Sequence, residues 1–449
     1  MKQTDIRATL MRLLVEYGML IILLLLCLLF TVLTMSKQVP TGRNAAEGVT
    51  EILHERLKPG DNLLIVIPDN PEDHQFVAGL SEPSPWRVAV LSGDPVRVRS
   101  MLGPIVDTLP VGSVLVTTRT YAPLVQAVLA EFGKSDAVEI ITPPTYRWPT
   151  FLLAENIKNV ANQITVIAII AIGMTMVIIT AGIDLSVGSL VALSAVVVAW
   201  LIGWFGGDGA STTLMIAACL GGIVLCGVIG AFSGLMITGF GIPPFIATLA
   251  MMQVTAGIAY IISQGKPIYQ VPEGFIWLGR GADPLLGIPI AVILMVMLYV
   301  VAHLLMSRTT LGRYIYAVGG NAEAARLAGI RVKRVLFFVY AVCGMLAGLG
   351  GVVMASQLKS GAPTYGLTYE LYVIAAVVVG GTSLSGGQGR ILGTLIGAFI
   401  IAVIQNGMNL TNVESYTQKV VLGLVILGAV MLDRLKQRGL HRRKKAAPV

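Results

Sequence analysis

One apolar stretch decides the fold class of this chain: residues 164–201 read ITVIAIIAIGMTMVIITAGIDLSVGSLVALSAVVVAWL and contain a single charged residue, Asp184. A carboxylate in such a segment costs several kcal/mol unless a partner or water stabilises it. Gly182 and Gly188 flank the charge and let the backbone leave a helix there. The stretch therefore predicts two membrane helices with a break between them. Asp184 either caps and pairs this break or lines a transport pathway.

The composition of the whole chain points to the same class. Of its 449 residues, 55% are hydrophobic and 12% are charged, and the mean hydropathy is +0.79. A soluble domain carries about 25% charged residues. We expect an all-α polytopic membrane protein. The four cysteines lie inside apolar runs and the four histidines are scattered, so the sequence predicts neither a metal site nor a catalytic residue.

Ten apolar runs are candidates for membrane spans, each of which needs about 20 residues of helix. Lysines and arginines cluster before the first run, between the sixth and the seventh, and after the tenth. Such clusters mark the cytoplasmic side, so we expect both termini in the cytoplasm and the protein in the inner (plasma) membrane. The net charge of +8 then reflects topology rather than affinity for nucleic acid. The predicted spans are 17–35, 161–181, 186–205, 212–237, 244–263, 287–306, 335–356, 370–386, 391–409 and 418–433.

The segment between the first two spans differs from the rest of the chain. Residues 37–158 contain 11 Lys and Arg against 14 Asp and Glu, so this part is mildly acidic. Short β-branched or aliphatic runs alternate with helix-like stretches, which indicates a small α/β domain with a parallel sheet. By topology this domain is extracytoplasmic. Its predicted strands are 63–67, 87–91, 113–117 and 137–141.

Two short patterns in this insertion have alternative interpretations. Gly133-Lys134-Ser135 resembles the end of a phosphate-binding loop, but the motif needs a glycine at position 128, which is valine. Asp69, Glu72, Asp73 and His74 follow a predicted strand end, where α/β domains often bind ligands. A solvated helix N-terminus explains them equally well and is the interpretation that we favour.

The predicted cytoplasmic segment 309–330 reads TTLGRYIYAVGGNAEAARLAGI and is the most specific pattern in the chain. Asn321 is a good helix N-cap and the following residues are strong helix formers. Gly329 can end the helix in a left-handed conformation. The pattern predicts a short helix outside the bilayer, with small side chains that let another protein approach closely.

Four ordered motifs resemble the permeases of ribose-type ABC importers. They are the segment at 309–330, Gly173-Met174-Thr175 through Gly182–Ser189, Pro243-Pro244-Phe245-Ile246-Ala247-Thr248-Leu249-Ala250, and Val379–Gly389. The resemblance covers residues 150–435 and the first span. It implies a permease that works in pairs, as a homodimer or a heterodimer. Two ATP-binding subunits would hold ATP and magnesium, this chain would bind no cofactor, and a substrate-binding protein would deliver a monosaccharide or similar small polar solute from outside.

The resemblance also implies roles for particular residues and a division of the chain into parts. The insertion departs from the family pattern, and its role stays open. The implied ATPase-coupling residues are Gly320, Asn321, Ala322, Glu323, Ala324, Ala325, Arg326, Leu327 and Gly329. The signature residues, which we expect to be structural, are Gly182, Asp184, Ser186, Gly188, Gly380, Gly381, Gly386 and Gly387. The parts are 1–36 with the first span, 37–147, the permease core 148–433 with its coupling segment 307–334, and the basic cytoplasmic tail 434–449.

Three amides inside the spans, Gln253, Gln405 and Asn406, are candidates for lining the pathway, because sugars are recognised by amide hydrogen bonds. Leu384-Ser385-Gly386-Gly387-Gln388 spells the signature of ABC ATPases, but the chain has no Walker A motif, and we interpret the match as a coincidence in a tight turn. An ion-coupled secondary transporter or channel is the alternative function. It would need a relay, for which Asp184 and Glu370 are the available carboxylates.

Overall fold

The computed structural model describes the backbone of residues 2–81 and 84–445 and the side chains of residues 18–81 and 84–431. The side chains of the basic N-terminus and of the tail at 434–449 lie outside the described residues. The predictions that rest on their charges therefore stay predictions. The chain divides into two compact units, one of Met1–Thr34 with Phe151–Val449 and the other of Met35–Thr150. We call them the membrane unit and the α/β unit.

Helices make up most of the membrane unit, and the α/β unit contains all six strands of the described chain. The helices are α1 (Lys2–Leu33), α2 (Gly42–Arg56), α3 (Pro71–Ser81), α4 (Pro95–Thr108), α5 (Ala122–Glu131), α6 (Ala154–Ile179), α7 (Val187–Phe205), α8 (Thr212–Phe240), α9 (Pro244–Ser263), α10 (Trp277–Arg280), α11 (Ile290–Arg308), α12 (Thr310–Gly320), α13 (Ala322–Leu327), α14 (Val332–Leu358), α15 (Tyr369–Val379), α16 (Ile391–Leu410) and α17 (Ser415–Lys445). The strands are β1 (Met35–Gln38), β2 (Asn62–Ile67), β3 (Arg87–Ser92), β4 (Ser113–Thr117), β5 (Val138–Ile141) and β6 (Tyr146–Pro149).

Seven described helices are long and apolar enough to cross a membrane, namely α6, α7, α8, α9, α11, α14 and α16. The protein is thus a polytopic membrane protein. Three further apolar helices of the membrane unit are shorter in their described parts: Gly18–Leu33, Tyr369–Val379 and Ser415–Met431. Each predicted span corresponds to one of these ten helices, while the number that crosses the bilayer stays a prediction.

The eighth predicted span, 370–386, is wrong in its extent. Helix α15 ends at Val379, and its 11 residues reach about 16 Å, half of the roughly 30 Å of a bilayer core. The helix stops because Gly381 adopts φ +88°, a conformation in which a helix cannot continue. The chain then runs without helix to α16, so this region is a half-helix followed by a loop.

Helix α14 lies at the centre of the membrane unit, against α6, α7 and α8. Its inward side chains Val339, Tyr340, Cys343 and Ala347 are fully buried. Glycines bring the backbones together: a Cβ on Gly344 would overlap the backbone of α8 at the Cys226 carbonyl group. Small residues permit such close helix packing in membranes, where dispersion replaces the hydrophobic effect as the attraction between helices.

The α/β unit is built on a four-stranded parallel sheet with the order β3-β2-β4-β5. Successive residues of β2 point to opposite faces. Leu63, Ile65 and Ile67 are buried under α2 and α3, whereas Leu64 and Val66 are buried under α4 and α5. Both faces of the sheet are covered, which is why its strands read as continuous apolar runs in the sequence.

The two ends of the α/β unit meet in a separate antiparallel pair of strands. Met35 of β1 lies opposite Pro149 of β6, and Gln38 lies opposite Tyr146. In the membrane unit, the Phe151 amide donates a hydrogen bond of 3.1 Å to Thr34 Oγ1. The chain therefore leaves and re-enters the membrane unit at adjacent points, which lets a whole domain be inserted between α1 and α6.

The close contact at Gly344 predicts that adding a methyl group there lowers the stability of the membrane unit. Gly344→Ala should lower the melting temperature of the detergent-solubilised protein, because the methyl group forces α8 and α14 apart at a cost of about 1–3 kcal/mol. Gly257→Ala in α9 is the matched control, since a Cβ there meets no atom within 4 Å, and alanine should be neutral or stabilising by up to about 1 kcal/mol. Equal melting temperatures for the two variants would contradict the packing account.

The strand pair at the base of the α/β unit predicts that this unit can be removed. Replacing residues 39–145 by Asn-Gly joins β1 to β6 through a two-residue hairpin turn and keeps their register. The shortened protein should still be recovered from membranes, with a melting temperature close to that of the full chain. A shortened protein that is absent from the membrane fraction would show that the membrane unit does not fold alone.

Candidate functional site

The short helix predicted after Asn321 is present as α13. The Asn321 Oδ1 atom accepts hydrogen bonds from the amides of Glu323 and Ala324, both of 3.0 Å. This is the N-cap arrangement that the sequence predicts. At the other end, Gly329 adopts φ +84°, and the Ile330 amide donates to the Ala325 carbonyl oxygen at 3.0 Å. Both ends of α13 are thus stabilised although the helix has only six residues.

Helix α13 has one buried side and one exposed side. Ala325 is buried, while Ala322, Ala324 and Gly320 are exposed. On the exposed side, Arg326 and Glu323 form an ion pair of 2.5 Å, and Leu327 exposes 79% of its surface. An exposed leucine beside an ion pair and small side chains forms a surface on which a partner protein can pack.

Helix α12 links α13 to the interior of the membrane unit. Tyr316 Oη donates a hydrogen bond of 2.8 Å to the Gly389 carbonyl oxygen, and the Gly387 amide donates one of 2.8 Å to the Ile179 carbonyl oxygen at the end of α6. A Cβ on Gly319 would lie 2.7 Å from the Gly387 nitrogen and would overlap the Ile179 carbonyl group. Helix α12, the end of α6 and the loop before α16 therefore form one tight junction.

The break that contains Asp184 lies directly beyond this junction. Asp184 is fully buried, and its Oδ1 atom accepts hydrogen bonds from the Ser186 amide at 3.0 Å and the Ser186 hydroxyl at 2.6 Å. Its Oδ2 atom has no hydrogen-bond partner among the described residues. Tyr340 and Cys343 of α14 lie close enough to interact electrostatically with the carboxyl group. Asp184 thus holds the chain in position for α7, which begins at Val187.

The glycines of the signature lie where chains approach closely. A Cβ on Gly182 would overlap the Tyr340 hydroxyl group, and a Cβ on Gly188 would overlap the Gly366 carbonyl oxygen. Gly380 lies against the backbone of α16 in the same way, at Gly393. These glycines therefore lie at close packing contacts around the Asp184 break and around the end of α15, as expected for structural positions.

The second break, residues 380–390, repeats the backbone pattern of the first. The Thr382 amide donates to the Val377 carbonyl oxygen at 3.1 Å, as the Gly182 amide does to that of Val177 at 3.0 Å. Gly386 and Gly387 adopt φ values of +81° and +71°, so the pentapeptide 384–388 forms a turn and not the N-terminus of a helix. Its match to the ATPase signature is a coincidence of sequence.

The three amides proposed for the pathway have different surroundings. Gln405 lines a cavity of about 350 Å³ between α6, α14, α15, α16 and α17. Asn406 is buried, and its amide exchanges hydrogen bonds of 2.8 and 3.0 Å with Asn156 of α6, which makes it a link between helices. Gln253 is exposed on α9 and does not line this cavity.

Several other polar residues of the cavity were missed by the sequence reasoning. They lie on α16 itself and on four further helices, and only the fold brings them to one place. The available signal was the recurrence of amides and tyrosines near the same ends of consecutive spans. They are Gln163, Gln357, Tyr369, Tyr372, Asn409 and Gln418.

The acidic run at residues 69–74 and the Gly133-Lys134-Ser135 pattern of the α/β unit both have structural explanations. Asn70 Oδ1 accepts a hydrogen bond of 2.9 Å from the Asp73 amide and thereby caps α3, and His74 pairs with Asp69 at 2.8 Å. Burial raises the pKa of Asp73, while the hydrogen bond from Asn70 and the nearby His74 oppose this shift. Lys134 lies beyond the end of α5 and donates to the carbonyl oxygen of Leu109, the residue after the last turn of α4, at 3.1 Å. Among the described residues, no group of three His, Cys, Asp or Glu is placed to hold a metal ion.

Comparison with known proteins assigns the family. Residues 156–430 match the family model described as the branched-chain amino acid transport system permease component. These residues span more than half of the chain and nearly all of the membrane unit. The chain belongs to this permease family. The resemblance inferred from the four motifs is thereby confirmed.

Curated relatives match 64% of the chain. The ribose import permease of Escherichia coli K12 is 44% identical over 293 residues, which are 64% of this chain and 88% of the relative. That of Bacillus subtilis strain 168 is 47% identical over 290 residues, which are 64% and 87%. The D-allose transport permease of Escherichia coli K12 is 39% identical over 285 residues, which are 64% and 85%. No solved structure gave a significant match.

The geometry around Asp184 predicts the outcome of a substitution that distinguishes a structural role at the break from a role in lining the pathway. Asp184→Asn keeps the Oδ1 acceptor for Ser186 and replaces a buried carboxyl group that has no ion-pair partner among the described residues. The permease should therefore keep its melting temperature and its transport rate. Asp184→Ala should destabilise the fold by about 1–2 kcal/mol, because the Ser186 amide loses its cap. If Asp184→Asn instead folds normally but no longer transports solute, the carboxyl group belongs to the pathway.

Proposed function

We propose that this chain is the membrane permease of an ABC importer for a monosaccharide. The observation that carries the proposal is the match of its membrane unit to two import permeases named for ribose, at 44% and 47% identity and over 87% or more of their length. The permease named for D-allose supports the same class of solute. Such a chain is a transport subunit and not an enzyme, and ATP and magnesium bind to its partner subunits.

Helix α13 is the contact for the ATP-binding subunit in this proposal. It lies between α12 and the long helix α14, its ends are capped, and its outer face carries Leu327 and the ion pair of Glu323 with Arg326. A capped helix that ends in an exposed apolar side chain fits a groove on a partner. Closure of two ATP-binding subunits would then move two copies of α13, one on each permease of the pair.

A movement of α13 would be passed to the membrane unit through the junction of α12 with the end of α6 and the loop before α16. A displacement of Gly319 must displace Ile179 and Gly387, because no free space separates them. Helix α14 follows α13 directly and spans 27 residues, or about 40 Å. It is therefore long enough to carry a tilt from α13 to the opposite end of the unit.

The proposed topology follows the positive charges. Both termini and α13 lie in the cytoplasm of a cell whose inner membrane holds the permease, and residues 37–147 lie outside. A substrate-binding protein delivers the solute on that outer side, and a second permease chain completes the pathway. Solute uptake without an ATP-binding partner would favour an ion-coupled transporter instead.

The ion pair on α13 supplies a test of coupling. Glu323→Arg and Arg326→Glu should each leave the amount and melting temperature of the permease unchanged, because an exposed pair contributes only about 0–1 kcal/mol. Each should abolish uptake in vesicles by disrupting the contact with the ATP-binding subunit. The measurements are uptake and ATP hydrolysis stimulated by the substrate-binding protein.

Two controls make this test specific. The double variant with both reversals restores an ion pair within the helix, and it should remain inactive if the charges contact the partner. Glu273→Lys breaks a comparable exposed pair with Lys359 at the other end of α14 and should transport normally. Normal uptake in both single variants on α13 would exclude the coupling role.

A further inference from the structure

The cavity that contains Gln405 lies at the end of the membrane unit remote from α13. It is bordered by the last turns of α14 and α16 and the first turns of α15 and α17. The bond between Asn156 and Asn406 ties the first turn of α6 to α16 beside it. Because α6 begins directly after Phe151, the cavity is at the outer end of the bundle in the proposed topology. Its volume of about 350 Å³ lies within the range of small-molecule sites.

The polar lining of the cavity consists of amides and phenols without a charged side chain. The five amides are Gln163, Gln357, Gln405, Asn409 and Gln418. An amide donates through its nitrogen and accepts through its oxygen, which matches a hydroxyl group, itself both donor and acceptor. The lining can therefore bind several hydroxyl groups of one molecule at once.

Some of these amides are held in place and others are free to bind. Gln357 Nε2 donates to the Asn162 carbonyl oxygen at 3.0 Å, and Gln418 Nε2 donates to Asn409 Oδ1 at 2.8 Å. These bonds fix the two glutamines and leave their Oε1 atoms unbonded by the described residues. The side chains of Gln163 and Gln405 form no hydrogen bond with any described residue. Because these two glutamines line the cavity and bond to no described residue, they are available for a solute.

Two tyrosines complete the lining. The rings of Tyr369 and Tyr372 are 6.3 Å apart and meet edge to face at 81°, and both side chains are half-buried. A tyrosine presents an apolar ring and a polar tip. This combination suits a sugar, which has C–H groups on the faces of its ring and hydroxyl groups around the edge.

The lining also discriminates between the solutes that this family carries. An amino acid would bring an ammonium and a carboxylate into a cavity with no side chain of opposite charge, and an unpaired charge in such a place is costly. A neutral polyol has no such cost. We propose that this cavity binds one neutral, hydroxyl-rich solute of monosaccharide size during transport, with Gln405 and Gln163 as specificity-determining residues. The proposal rests on the function proposed above.

The test uses the full transporter in proteoliposomes with its ATP-binding and substrate-binding partners. Uptake of radiolabelled D-ribose and D-allose is measured together with ATP hydrolysis stimulated by the binding protein. Gln405→Leu removes both hydrogen-bonding atoms at similar side-chain volume, and uptake should fall about ten-fold, as expected for the loss of one good hydrogen bond. Stimulated ATP hydrolysis should persist. Gln163→Leu should have the same effect, and Gln270→Leu, an exposed amide outside the cavity, should transport normally.

The possible outcomes distinguish a failure of the proposed binding cavity from a failure of the proposed import function. Wild-type uptake in both Gln405→Leu and Gln163→Leu would overturn the binding role of the cavity. Joint loss of uptake and stimulated hydrolysis, at an unchanged melting temperature, would also overturn it, because Gln405 would then act in force transmission. If Gln405→Leu does not fold, Gln163→Leu decides, since the Gln163 side chain forms no hydrogen bond with the residues that the structure describes and is exposed. Failure of the unmodified transporter to take up either sugar would contradict the proposed function before any variant is compared.

Discussion

Helices α8 and α14 touch through their backbones. Gly230 and Gly344 face each other, and a Cβ on Gly230 would lie 3.1 Å from the Gly344 Cα atom. Gly173 of α6 approaches Cys343 in the same way, with a Cβ position 2.7 Å from its Cα atom. Within a membrane, such contacts attract because many atoms come into dispersion range and no water has to be displaced. Helix α14 is therefore held on several sides.

The two ends of α14 lie beside the two regions for which we propose a function, and α14 connects them. Near its first turn lie α13 and the junction of α12 with the end of α6. Near its last turn lies the amide cavity, to which it contributes Gln357. Asp184 and Tyr340 lie along its length, where the chain breaks between α6 and α7. A helix that is packed closely along its middle can transmit a tilt from end to end, which the proposed drive by ATP-binding subunits requires.

Features that depend on residues near one another in the sequence could be predicted, whereas features that depend on residues far apart could not. Three local features can be recognised in short stretches of sequence. The break at Asp184 depends on the conformation of nearby glycines, and the helix after Asn321 depends on a cap two or three residues away. The alternation of strands and helices in residues 35–150 follows from which residues along each strand are buried. The end of α15 at Val379 was misjudged, because an apolar run does not reveal that Gly381 adopts a left-handed conformation, with φ +88°. Gln253 and Gln405 look alike in sequence, yet only Gln405 lines the cavity.

The sequence by itself determined the membrane class, most helices of the bundle, the α/β character of the segment between α1 and α6, and the family through four ordered motifs. These depend on composition and on neighbours along the chain. The tertiary structure alone decided that four helices bring their amides to one cavity, that the side chain of Asn406 is hydrogen-bonded to Asn156 at a separation of 250 residues, and that Gly319 lies against both Ile179 and Gly387. The physical reason is that helix crossing is selected by the close approach of backbones at glycines far apart in the chain, and no local pattern specifies which glycines will meet.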